Sequence, residues 1–292
     1  MSERVVTLEN DDVTVEVLAH EGGRIASLRT RRDKREWLSS PRGQPATAAV
    51  LGAVYTDTAH YGWDEMLPTV DPSVYVGDPY NELELADHGE LWSAKWEVVN
   101  SSATSLRQVV KGQQLDYEFE RTLTLAGHTL RVAYCCTVAR PMTMLWALHP
   151  QFVTRPGTRL VLDRTDGYWF KGDDGVLTEI PWPGDFVVER DLAVGSNQNY
   201  YLNPANPHVE PRLVDPDGAT LTLEWDREFA PYLVIWSDHY DLTEHRVIAI
   251  EPMSGFYDDL GRAQRAGLVS EFVPQDPSRW WVDLTVKPGE AS

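Results

Sequence analysis

Cysteine is nearly absent: two occur in 292 residues, and they are neighbours, Cys135 and Cys136. Consecutive strand residues point to opposite faces, so a disulfide between them would be strained. Two reduced thiols in a half-buried strand are expected, and no secreted-type disulfide framework exists. Basic residues are scarce as well: 26 Lys and Arg stand against 45 Asp and Glu, a formal net charge of −19. Nucleic-acid binding through the phosphate backbone needs clustered Lys and Arg to displace counterions, so it is excluded. Anionic membrane surfaces and polyanionic substrates are disfavoured for the same reason. Long apolar runs are missing. The longest, around Met144 to Leu148, is far too short to span a bilayer. Met1-Ser2-Glu3-Arg4-Val5-Val6 shows no basic stretch followed by an apolar core, so no signal peptide is read there and a cytoplasmic location is expected. Zinc-type His and Cys spacings, phosphate loops and a Gly-x-Ser-x-Gly elbow are all lacking. Asp215-Pro216-Asp217-Gly218 lacks the remaining acids of a calcium loop and reads as a turn.

What is present is period-two alternation. Val13, Val15 and Val17 alternate with polar residues, as do Leu115, Tyr117 and Phe119, then Leu130, Val132 and Tyr134, then Ala219, Leu221, Leu223 and Trp225. One face buried and one solvated is the signature of antiparallel sheet. Further strands are predicted over Arg24–Arg29, Ala94–Val99, Met142–Phe152, Pro231–Ser237, Arg246–Glu251, Leu268–Val273 and Trp280–Val286. Ala126-Gly127, Asp174-Gly175 and Asp217-Gly218 are tight-turn dipeptides. Asp258 to Arg265 is the one short helical candidate. The 19 prolines and 20 glycines are dispersed and mark no linker. The reading is all-β: a large antiparallel β-sandwich in which residues 1–292 form a single domain. Regions 40–90 and 165–215 read as long loops, a feature often tied to function.

Tryptophan is abundant, at 11 residues. A sugar offers apolar C–H faces to aromatic planes and hydroxyls to polar side chains. Trp63 beside Asp64, and Trp92 near His88, are candidates for such contacts; the alternative is that they fill the core. Three segments could carry chemistry: Asp87-His88-Gly89-Glu90-Leu91-Trp92, Leu145-Trp146-Ala147-Leu148-His149-Pro150-Gln151-Phe152, and Ile248-Ala249-Ile250-Glu251-Pro252-Met253-Ser254-Gly255. Glu251 closes an apolar run, where desolvation favours a general base. An ion pair with an arginine such as Arg246 is the alternative. Two histidines and a glutamate, each at a strand rim, form the set needed for proton transfer at an anomeric centre.

With Gly22-Gly23-Arg24-Ile25-Ala26-Ser27-Leu28 near the N-terminus, the order of these segments resembles the aldose 1-epimerase (galactose mutarotase) family. The resemblance runs from about Val5 to the terminal strand Arg279-Trp280-Trp281-Val282-Asp283-Leu284. It implies a supersandwich of antiparallel strands with a concave sugar-binding face, a small-molecule carbohydrate as partner, and no cofactor. It implies Glu251 as general base, His149 as general acid and His88 as a second histidine close to the sugar. The chain also departs from the family. An arginine usually lies upstream of the first histidine; here Tyr61-Gly62-Trp63-Asp64-Glu65-Met66-Leu67-Pro68 carries acids instead. Asp64 and Glu65 are candidate acceptors for sugar hydroxyls, with a solvated acidic loop as the alternative. The family's aspartate between the second histidine and the base has three candidates, Asp173, Asp174 and Asp185. Two other functions stay open. One is a non-catalytic carbohydrate-binding protein on the same scaffold. The other is a glycoside hydrolase or lyase pairing Glu251 with Asp64 or Glu65 across roughly 5 to 9.5 Å.

Overall fold

The computed structural model describes residues 5–41, 49–58, 60–163, 168–171, 176–182, 184–203 and 209–290. Two large sheets dominate them. The first has ten strands in the order Val5–Glu9, Val13–Leu18, Arg24–Thr30, Trp63–Met66, Ala147–Val153, Arg246–Met253, Tyr232–His239, Ser196–Leu202, Tyr168–Lys171 and Leu177–Ile180. The second has nine, with Thr220–Trp225, Ser278–Lys287, Thr129–Val138, Tyr117–Ala126 and Ser105–Lys111 at its centre. Neighbouring strands pair antiparallel throughout both sheets, for example Tyr117–Ala126 with Thr129–Val138 and Tyr232–His239 with Arg246–Met253.

The alternation seen in the sequence is the burial pattern of the second sheet. Along Tyr117–Ala126 every second residue is buried, and the others meet solvent or are half-buried. Cys136 is buried, Cys135 is half-buried, and both are free thiols. The hairpin at Ala126-Gly127 forms as expected, with Ala126 paired to Thr129. Asp217-Gly218 lies between the paired strands Arg212–Val214 and Thr220–Trp225. Asp174-Gly175 lies outside the described residues. The helix spans Leu260–Ala266; the Asp259 side chain accepts from the Arg262 amide and Gly267 closes it at φ +69°.

The middle of the first sheet is different. Ala147–Val153, Tyr232–His239 and Arg246–Met253 are buried on both faces. One face packs into the core shared with the second sheet; the other lies beneath the connecting segments. Both regions read as long loops also supply strands of this sheet itself. Region 40–90 contributes the strand Trp63–Met66, and region 165–215 contributes Tyr168–Lys171, Leu177–Ile180 and Ser196–Leu202. Alternation is hard to see where both faces are covered.

A buried polar knot ties the sheets together. Glu65 points into the core, where it accepts from Arg121 at 3.1 Å, Tyr134 Oη at 2.7 Å and Trp146 Nε1 at 3.0 Å. Arg121 lies over the Trp96 ring at 4.6 Å and also donates to the Gly23 carbonyl. A Cβ at Gly23 would come within 2.8 Å of the Trp96 ring, and its φ of +64° is left-handed. The Gly-Gly-Arg motif is thus a corner: Gly23 meets Arg121, and Arg24 grips Asp64 through Nε at 2.8 Å and Nη2 at 3.0 Å. Among the described residues no helix is long and apolar enough to cross a membrane.

Removing one partner of a fully buried ion pair strands the other charge, at a cost of about 3–5 kcal/mol. Arg121→Leu is therefore expected to lower stability by about that amount in urea unfolding. A loss below about 1 kcal/mol would show that the pair with Glu65 does not hold the sheets together.

Candidate active site

Antiparallel register assembles the site. Ala147 pairs with Met253 and Gln151 with Ala249, so His149 stands opposite Glu251. The same row continues to Asp64 on one side, and to Val234 and then Tyr201 on the other. Side chains of one row share one sheet face. Here that face is the floor of a cavity of about 160 Å³, lined by His149, Glu251, Val234, Tyr201, Trp236 and Asn199 among others.

His149 and Glu251 touch. Nδ1 lies 2.6 Å from Glu251 Oε1, both side chains being largely buried. An ionised carboxylate only accepts, so Nδ1–H donates and Nε2 is directed elsewhere. The His149 ring sits between Trp236 at 5.3 Å and Tyr55 at 5.7 Å. Arg246, the alternative partner for Glu251, instead lies 3.8 Å from Glu189.

His88 enters from above. It has a left-handed backbone, φ +57°, followed by Gly89 at φ +69°. A Cβ at Gly89 would overlap the Leu67 carbonyl at 2.0 Å, so glycine is required for this close approach. The turn is locked onto the neighbouring segment by His88 N–H to Val70 O at 2.7 Å and Glu90 N–H to Leu67 O at 2.7 Å. The imidazole stacks on Tyr55 at 3.8 Å, nearly parallel, with Nδ1 2.8 Å from Asp87 Oδ1. Its ring centre is 6.1 Å from that of His149. Burial opposes ionisation of Asp87, but His88 and the Tyr55 amide hold the carboxyl below its usual range.

The three residues assigned to proton transfer and sugar contact, Glu251, His149 and His88, therefore line one cavity. The other four candidates do not line it. Trp63 and Glu65 share the opposite parity to Asp64 along Trp63–Met66 and are wholly buried, Trp63 in the hydrophobic core. A stacking role for Trp63 and a hydroxyl-binding role for Glu65 are thereby corrected to structural ones. Asp64 is on the cavity side but wholly buried beneath it; its oxygens take Arg24 and the Tyr55 hydroxyl, the latter at 3.0 Å. Asp64 anchors Tyr55. Trp92 is also buried; its Nε1 donates to the Asp87 carbonyl at 3.0 Å and its ring meets the edge of Tyr55 at 4.9 Å. It buttresses the loop that carries His88. Asp185 is in the second sheet, ion-paired with Arg159 and Arg190, and is not among the lining residues; Asp173 and Asp174 lie outside the described residues.

Several lining residues escaped the sequence reading: Tyr55, His60, Asp71, Asn197, Tyr201 and Asp258. Tyr55 and His60 belong to a stretch without periodicity. Asn197 and Tyr201 sit in Ser196–Leu202, where the alternate residues Asn197, Asn199 and Tyr201 line the cavity. Asp258 accepts from Tyr201 Oη and, at 3.1 Å, from Lys171 Nζ. Burial pushes its carboxyl up to about 6 against the pull of Lys171. Desolvation would lower the Lys171 ammonium, but Asp258 and Asp71 hold it above its ordinary value.

Burial, with His149 and His88 nearby, lowers the pKa of the His60 imidazole from 6.5 to about 4. Between those values the unfolded chain binds a proton that the folded chain refuses. The stability owed to neutral His60 is complete above pH 6.5 and is lost as pH falls towards 4. In His60→Gln this loss should vanish, so the variant should gain relative to the parent as pH is lowered across that window. Parallel urea-unfolding stabilities from pH 7 to pH 4 would contradict it.

No protein-family model matches the chain, and a search of curated proteins finds no match. Solved structures do match over nearly the full length. The Slr1438 protein of Synechocystis sp. PCC 6803 is similar at 16% identity and a TM-score of 0.77, over 98% of this chain and 96% of that one. A galactose mutarotase related enzyme from Lactobacillus acidophilus is similar at 16% identity and a TM-score of 0.74, over 98% of each chain. A GalM/aldose epimerase homologue from C. elegans gives 13% identity and a TM-score of 0.67, over 99% of this chain and all of that one. The chain thus has the all-β sandwich fold of the galactose mutarotase-like and aldose 1-epimerase proteins.

Proposed function

We propose that this cavity binds a free aldose and interconverts its anomers by general acid/base catalysis. The observation that carries the reading is the His149–Glu251 hydrogen bond on the cavity floor, with His88 facing it. His149 and Glu251 stand side by side. That suits the chemistry, because the two oxygens to be served, O1 and O5, are bonded to the same carbon. Glu251 takes the proton from the anomeric hydroxyl, and His149, protonated, donates from Nε2 to the ring oxygen. The C1–O5 bond breaks and O1 becomes the aldehyde oxygen. Rotation about C1–C2 presents the other carbonyl face, and the two transfers reverse on closure. The pair loses one proton and gains one in each half-reaction, so its net charge is constant.

Trp236 supplies the aromatic plane first sought in Trp63 and Trp92. In this reading His88, clamped by Tyr55 and Asp87, hydrogen-bonds the sugar through Nε2. The glycosidase reading loses both of its assigned partners: Glu65 faces the core, and the Asp64 oxygens are engaged by Arg24 and Tyr55. The non-catalytic reading is favoured by one observation, the absence of any arginine among the described lining residues. It predicts saturable sugar binding without rate enhancement.

The test is anomer exchange, followed by NMR or optical rotation on freshly dissolved single anomers of a panel of aldoses. Acceleration over buffer is expected for at least one sugar. Glu251→Gln and His149→Asn should each lower kcat about 10²- to 10⁴-fold with the fold intact by circular dichroism. No acceleration for any sugar, or full rate in Glu251→Gln, would reject the mechanism.

A further inference from the structure

The cavity also has a polar wall that the proton-transfer chemistry does not use. Asp258 is 5% exposed and Asp71 is half-buried, and both line the cavity. The backbone couples them: the Val70 and Asp71 amides each donate to the Asp258 carbonyl at 3.0 Å. Asp258 Oδ2 takes both Lys171 Nζ and the Tyr201 hydroxyl. Its Oδ1 accepts no hydrogen bond among the described residues, although the side chain is almost wholly enclosed. A carboxylate oxygen that keeps a free acceptor position on a cavity wall can take a ligand O–H or N–H.

The charge balance narrows the ligand. Among the described lining residues Asp71, Asp258 and Glu251 are carboxylates, and none is Lys or Arg. The nearest ammonium, Lys171, is held by Asp258 at 3.1 Å and Asp71 at 3.4 Å, and lies 4.8 Å from the centre of the Tyr257 ring. Two carboxylates against one ammonium leave this wall negative. Lys171 is already bound to both acids and has the Tyr257 ring beside it, so it is not a free anion receptor.

Building on the reading of the cavity as an aldose site, we infer that Asp258 and Asp71 form its specificity wall, accepting hydrogen bonds from hydroxyls of an uncharged sugar and excluding phosphorylated and carboxylated ones. Asp258 Oδ1 is the acceptor; Tyr201 and Lys171 fix the carboxylate that presents it. An anionic substituent beside this wall meets two negative groups inside a partly desolvated cavity, where charge repulsion is much stronger than in water.

The test uses the intact protein and matched sets: glucose, galactose and mannose, their 6-phosphates and their uronic acids. Binding is measured by ligand-observed NMR and turnover by anomer exchange. The neutral member of a set should bind about tenfold or more tightly than its anionic partners. Asp258→Asn should weaken neutral-sugar binding and narrow that ratio about threefold or more, because it removes one negative charge while keeping an acceptor oxygen. Asp71→Asn, at a more exposed position, should narrow the ratio in the same direction without risk to the core. Equal binding of neutral and anionic partners, or a ratio unchanged in both variants, would overturn the specificity wall while leaving the aldose site standing. Binding of no sugar at all would overturn the aldose site and the wall with it.

Discussion

The contact between His149 and Glu251 depends on the pairing of two strands. Residue 149 sits on Ala147–Val153 and residue 251 on Arg246–Met253, 102 positions apart, and the register between those strands brings them to 2.6 Å. A slip of one residue would turn either side chain to the opposite face of the sheet. The site is therefore as stable as the register, and the register is held by what lies on the other face. Leu148, Ile248 and Ile250 are fully buried there, in the core.

The same parity separates structure from chemistry at Asp64 and Glu65. These adjacent acids look alike in the sequence, yet they act on opposite sides of one strand. Glu65 joins the two sheets through Arg121 and Tyr134. Asp64 ties Arg24, at the Gly-Gly-Arg corner, to the hydroxyl of Tyr55. Gln151 also donates to that hydroxyl, at 3.1 Å. Tyr55 is thus fixed from below, and its ring face is the platform on which His88 stacks. A chain of contacts runs from the core corner to the cavity, so the aromatic and imidazole rings are preorganised before any ligand arrives.

Much of the fold was legible because the second sheet is buried on one face only, and single-faced burial writes a period of two into the residues. The central strands of the first sheet were recognised as apolar runs, but their two covered faces hid which side chains meet the cavity. Glu251, His149 and His88 stood out as candidates, and line the cavity, because a charged or imidazole group at the end of an apolar run, or next to a glycine turn, is unusual. Asp258, Tyr201 and Tyr55 carried no such local mark. Each is held in the cavity wall by a partner far along the chain, Lys171 for Asp258, Asp258 for Tyr201 and Gln151 for Tyr55. Trp63 and Trp92 were misread for the converse reason: an acidic or imidazole neighbour in the sequence says nothing about the face a tryptophan occupies.

The most direct measurement is histidine side-chain NMR on protein labelled with ¹⁵N-histidine, titrated with an aldose that the protein binds. His149 and His88 should shift together and saturate at one ligand concentration, with His149 showing a protonated, carboxylate-bonded Nδ1. His128, on the distant Ala126–Thr129 hairpin, should stay still. Shifts at His128 alone, or saturable sugar binding that leaves His149 and His88 unmoved, would contradict the site described above.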